Sequence, residues 1–102
     1  MSLNKRLMSS APAPFVASEH FKVVTWSGTG ADQTITVGFQ PDLVIYKETT
    51  SDGNWRVIDS MRGVTKYMEL NENSESATGA ETLKSFTSTG LTVGDEGDTN
   101  AS

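Results

Sequence analysis

The stretch Asp59-Ser60-Met61-Arg62-Gly63 places an acid, a hydroxyl and a guanidinium within five positions. Such groups could move a proton, attack as a nucleophile and hold an anion. General acid–base work needs a second carboxylate or a histidine converging on the same point, and nothing nearby supplies one. The same residues also suit a corner. Asp59 closes a strand, Arg62 stands three positions on at ion-pair reach, and Gly63 tolerates a φ that branched residues do not. Asp59, Arg62 and Gly63 are therefore read as a structural corner, and no catalytic residue is nominated.

Four other groupings carry residue types capable of chemistry. Ser27-Gly28-Thr29-Gly30 contains a G-x-G fragment, but a phosphate cradle needs a helix after it, and a strand pattern follows instead. Its glycines fit a hairpin loop. His20 is the one histidine, too few for a histidine metal site, and it reads as a strand-edge residue. The acidic run Asp95-Glu96-Gly97-Asp98-Thr99-Asn100 lacks the order of a calcium loop and reads as a solvated tail. Trp26 and Trp55 are the candidate glycan platform, because exposed aromatic faces stack on sugars; on strands such rings also fill cores. No cofactor and no metal is expected.

The elements that must position these residues are short. The chain has 102 residues, the size of one domain, with 35% hydrophobic and 21% charged residues. Low apolar content suits short strands joined by polar turns, or a fold that neighbours complete. With no cysteine, disulfides and thiolate metal sites are excluded. No apolar run is long enough to cross a bilayer, and the N-terminal stretch lacks the apolar segment of a signal peptide. Residues 1–67 hold seven Lys/Arg against six Asp/Glu, or +1, whereas residues 68–102 hold one lysine against seven acids, or −6. That distribution disfavours binding through nucleic-acid phosphates.

Residues 1–17 read as an arm. Its Ala-Pro-Ala-Pro segment favours an extended path. Leu3, Leu7 and Met8 share one face of a helical turn, with Lys5 and Arg6 elsewhere; a disordered terminus and a docking peptide both fit. From residue 18 to 94 the pattern is β. The run 20–26 alternates with period two, 34–37 and 55–59 read as short strands, 42–48 is the strongest β run, and Asp52-Gly53 marks a reversal between the last two. Leu43, Ile45, Trp55 and Val57 are expected on the core side of that hairpin. Residues 66–70 fit a strand or a turn of helix, 71–81 a surface loop, and 82–94 a strand pair or one bent strand. Residues 95–102 are expected to be an acidic flexible tail. The fold class is all-β, an antiparallel β-sandwich.

Several segments, in order, resemble a repeat found in virion proteins of tailed bacteriophages. They are Gly38-Phe39-Gln40-Pro41-Asp42-Leu43-Val44-Ile45-Tyr46-Lys47, Asp59-Ser60-Met61-Arg62-Gly63, Lys66-Tyr67 and Leu83-Lys84-Ser85-Phe86, and the resemblance covers roughly residues 20–94. It implies a β-sandwich, lectin-like or jelly-roll in form, in a structural protein of tail-fibre or appendage type. Two departures stand out. Ile45-Tyr46 replaces an expected tryptophan, and the sequence stops before a tryptophan- and cysteine-rich strand common in such repeats.

The resulting expectation is a non-enzymatic phage structural protein, made in the host bacterial cytoplasm and carried on the virion. It would attach through its arm by Leu3, Lys5, Arg6, Leu7, Met8 and Phe15. Partners would be tail or capsid proteins, further copies of itself and a host surface glycan. A capsid decoration protein and a carbohydrate-binding module are the competing readings. A sheet left one strand short would present an open edge for another chain.

Overall fold

The computed structural model describes residues 14–73 and 77–101. Seven strands form two antiparallel sheets: β1 (Gln33–Thr36), β2 (Leu43–Tyr46), β3 (Arg56–Asp59), β4 (Lys66–Glu69), β5 (Ala77–Thr78), β6 (Leu83–Thr87) and β7 (Gly90–Val93). The sheet orders are β1-β7-β6 and β2-β3-β4-β5. Ile35, Leu83, Leu91 and Val93 from the first sheet share one buried cluster with Tyr46 and Ile58 from the second. Each sheet thus hides the apolar face of the other, which makes the fold all-β and sandwich-like.

Local chemistry accounts for the connections. The reversal between β2 and β3 is a wider loop than an Asp-Gly turn, and Gly53 is not left-handed. Lys47 Nζ donates to the Gly53 carbonyl at 2.5 Å, and Glu48 accepts from Thr50 Oγ1 at 2.9 Å and from Ser51 Oγ. Residues 66–69 are a strand, and β6 and β7 are a hairpin with a register shift between Leu83 and Ser85.

The corner at residues 59–63 is present. Asp59 Oδ1 accepts from the Arg62 amide at 2.8 Å, and the Asp59 carbonyl accepts from the Gly63 amide at 3.1 Å. The Arg62 guanidinium lies 3.6 Å from Asp59 Oδ2, and Gly63 has φ of +96°. Ser60 ties the corner to β2, donating its amide to the Asp42 carbonyl at 2.9 Å and its hydroxyl to Asp42 Oδ1 at 3.0 Å. The side chains of Asp59, Ser60 and Arg62 are spent on holding the chain direction.

Three expectations are corrected. Residues 20–26 form no strand, although Val24 and Trp26 pack on the core while Phe21, Val23 and Thr25 stay exposed. His20 accordingly sits on no strand edge. It follows a 3-10 turn at Ala17–Glu19 and stacks on Phe15 with ring centroids 4.7 Å apart. The acidic C-terminal segment is not a free tail: Gly97–Asn100 forms one helical turn, α1, with Thr99 and Asn100 buried.

The third correction concerns which face of the hairpin is the core. The register pairs Val44 with Ile58 and Tyr46 with Arg56, and these face inward. Leu43, Ile45, Trp55 and Val57 lie on the opposite face, where Val57 is buried as expected and the other three are exposed. A strand shows alternate residues to opposite sides, so the choice reverses as a set.

Candidate functional site

Two features stand out: a buried ionic clasp around Arg56, and an open groove beside β2. Strand alternation turns Arg56 inward with Ile58, and it is only 5% exposed. A cation there needs partners, because desolvation of an unpaired charge is costly. Arg56 Nη1 donates to Glu96 Oε2 at 2.6 Å and Nη2 to Asp98 Oδ2 at 3.0 Å. Glu69 Oε1 stands 3.8 Å from Nε, and the Tyr67 ring lies 4.5 Å from the guanidinium carbon. Burial works against the charge, but the Glu96 hydrogen bond and Tyr46 override it and hold the Arg56 pKa above its ordinary value.

The clasp continues as a relay. Thr99 Oγ1 donates to Glu96 Oε2 at 2.9 Å and lies 2.9 Å from Tyr46 Oη. A threonine hydroxyl has one proton, so Tyr46 must be the donor to Thr99. Trp26 Nε1 donates to the Thr99 carbonyl at 3.1 Å. Asn100, 1% exposed, donates to the carbonyls of Gly94 at 2.8 Å and of Ala31, and accepts at Oδ1 from the Thr29 amide at 3.0 Å and Gln33 Nε2 at 2.5 Å. Gly28 lets the backbone of residue 101 come close, since a Cβ there would fall 1.8 Å from the Ala101 carbonyl oxygen. The Gly28 of the SGTG run thus serves close approach, whereas Gly30 has the left-handed φ of +69° expected of a loop glycine.

These commitments define what the node can do chemically. Glu96 and Asp98 of the acidic run are bound to Arg56, and the tyrosine and threonine hydroxyls are bound to each other. The arrangement therefore acts as a clasp that fastens the C-terminal segment to both sheets. Arg56 carries no mark of its own in the sequence, and Glu96, Thr99 and Asn100 stand out there only as part of an acidic run that reads as a solvated tail. The one signal for them was an arginine sharing strand parity with Ile58.

The clasp also has a pH signature. Burial raises the Tyr46 pKa above its ordinary value of 10.0, against the lowering effects of the Thr99 hydrogen bond and Arg56. The folded state therefore holds this proton more tightly than the unfolded state. That contribution to stability is complete below about pH 10 and declines as pH rises through the raised value. Tyr46→Phe is expected to flatten the alkaline fall in stability measured by urea unfolding. Parallel alkaline limbs for the two proteins would contradict this assignment.

The groove, of about 1600 Å³, runs between residues 19–28 and residues 39–51, with residues 97–101 at one end. It is continuous with the outer face of the four-stranded sheet. There Ile45, Val57 and Met68 form one cross-strand row, and the Leu70 amide donates to the Trp55 carbonyl at 3.0 Å. Leu43, Ile45, Trp55 and Leu70 remain 58%, 51%, 46% and 61% exposed on that face. Among the residues nominated for glycan stacking, Trp26 is half-buried with its N–H committed, and its ring centroid lies 6.1 Å from that of Tyr46 on the core side. Trp55 is on the other face of the sheet, so the two do not form one platform. Of the arm residues, Phe15 is exposed, while Leu3, Lys5, Arg6, Leu7 and Met8 lie outside the described residues.

Fold and groove together define a small all-β module that is fastened at one end by an ionic clasp and in which β2 is an edge strand among the described residues. Residues 16–102 match the family described as a domain of unknown function, DUF7483, and the chain belongs to that family. No curated protein and no solved structure matches it.

Proposed function

We propose that this protein is a structural component of a bacteriophage particle, of tail-fibre or appendage type, that works by packing against neighbouring subunits. The observation that carries the reading is the outer sheet face. Leu43, Ile45, Trp55 and Leu70 are large and about half exposed on this face, around a buried Val57 and a half-buried Met68. A patch of this kind on one sheet face marks an interaction surface, because keeping it wet forgoes hydrophobic stabilisation. The resemblance of the GFQPDLV and DSMRG segments to phage virion repeats supplies the setting. Further copies of this chain and tail or capsid proteins are the partners this surface suits.

Quantitative mass spectrometry of purified particles tests the reading. A few copies per particle support a tail appendage, many copies indicate a head decoration protein, and absence from particles overturns the proposal. The double variant Leu43→Ser/Ile45→Ser should unfold as cooperatively as the parent, because both side chains are already half in water. It should nevertheless fail to enter particles. Normal incorporation of a folded double variant would remove this face from the argument.

A further inference from the structure

The outer face of the four-stranded sheet carries charge as well as apolar surface, and both are ordered along the strands. Ile45, Val57 and Met68 form its middle row. By strand alternation, Leu43, Asp59 and Lys66 lie to one side of that row, and Trp55 and Leu70 to the other. At the Lys66 end, Arg62 Nη1 donates to the Met68 sulfur, which lays the guanidinium over this face. Lys66 Nζ donates to Thr78 Oγ1 at 2.6 Å. Arg62 and Lys66 against Asp59 give this end a charge of +1. Beyond Trp55 and Leu70, the chain carries Glu48, Asp52 and Glu72 against Lys47, a charge of −2. Asp52, Arg62, Lys66 and Glu72 are all exposed.

A strip with an apolar middle and ends of opposite sign complements itself once one copy is reversed. Two identical faces can pack about a two-fold axis lying in the plane of contact, either along the strands or across them. An axis along the strands sets each end against its own kind, and like charges oppose each other. An axis across the strands, through the middle row, sets each basic end over the partner's acidic end. It also keeps β4 over β4, which brings Lys66 towards the partner's Glu72. Leu43, Ile45, Trp55 and Leu70 expose an apolar area on the order of 400 Å², about half of the ~800 Å² that each side of a standard interface contributes. The charged ends supply the remainder.

We propose that the outer faces of two copies of this chain pack together as an end-reversed two-fold dimer. Ile45 and Met68 lie at the axis, and Lys66 of each copy stands beside Glu72 of the other. This inference rests on the reading of the outer face as an interaction surface and names its occupant.

Sedimentation equilibrium of the purified chain over a range of concentrations reads the dimer. The parent should dimerise, and Leu43→Ser/Ile45→Ser should stay monomeric at the same concentrations. Lys66→Glu and Glu72→Lys should each weaken the dimer about tenfold, because two attractive rim pairs become repulsive. Mixed in equal amounts, those two variants should pair with each other at close to parental strength, since a chain with two acids then meets a chain with two lysines. Both positions are exposed, and urea unfolding checks that each variant folds as the parent does. A parent chain that remains monomeric up to about 1 mM would overturn the proposal. So would dimers that survive Leu43→Ser/Ile45→Ser, or a mixture that associates no better than its parts. A monomeric chain that still enters particles would sink the dimer alone, whereas a dimer missing from particles would sink the particle reading alone.

Discussion

Arg56→Met should destabilise the domain by about 3 kcal/mol, near the lower end of what breaking a buried ion pair costs. The lower end applies because Glu96 and Asp98 are 30% and 48% exposed and can turn part of their charge to water. For a domain of about 100 residues that corresponds to a fall in melting temperature of roughly 12–24 °C. Methionine fills much of the space but cannot satisfy either carboxylate or face the Tyr67 ring as a cation. Adding Glu96→Gln and Asp98→Asn to Arg56→Met should recover part of the loss, since it removes the stranded negative charges. Thermal and urea unfolding of the single and triple variants read this directly. A loss below about 1 kcal/mol for Arg56→Met would show that the clasp contributes no more than a surface pair.

Asn100 is the second point at which the C-terminal turn is held. Asn100→Ala removes two donated and two accepted hydrogen bonds at a position closed to water. Leaving such groups unpaired costs about 2–3 kcal/mol in sum, because the partner residues Thr29, Ala31 and Gln33 are themselves at least partly exposed and re-form bonds with solvent. Asn100→Asp should be worse than Ala. Its carboxylate would still accept from Thr29 and Gln33, but it would face the Gly94 and Ala31 carbonyls with no proton to donate. Trp26 offers a local readout through its bond to the Thr99 carbonyl. Its fluorescence should shift to the red at lower urea than the global transition in either variant. An Asn100→Asp protein as stable as the parent would show that those two carbonyls find partners elsewhere.

Both predictions concern a segment whose sequence reads as solvated acid, and the reason is physical. Asp95-Glu96-Gly97-Asp98 is polar and has no apolar period, so nothing local marks it for burial. Its place is set by Arg56, 40 positions from Glu96. The corner at Asp59, Arg62 and Gly63 is the opposite case. Every contact that makes it lies within a few residues, apart from Ser60 reaching Asp42, and the sequence was sufficient to describe it.

The run at residues 20–26 shows where periodicity stops being informative. Alternation of Val24 and Trp26 inward survives in the structure, but hydrogen bonding needs a second strand at the right distance, and none of the described residues provides it. A sequence pattern specifies which side chains turn to the core. It does not specify a pairing partner.

Taken alone, the sequence determined the all-β class, most of the strand positions, the β2–β3 reversal and the Asp59 corner. These depend on side-chain period and on turn chemistry that acts over a few residues. Tertiary structure decided which face of the β2–β3 hairpin became the core. Leu43, Ile45, Trp55 and Val57 are as apolar as Val44, Tyr46 and Ile58, so composition favoured the face without an arginine. Carboxylates from the distant C-terminal turn neutralise Arg56, and that allowed its face to be buried while Leu43, Ile45 and Trp55 of the more apolar one stayed exposed around a buried Val57.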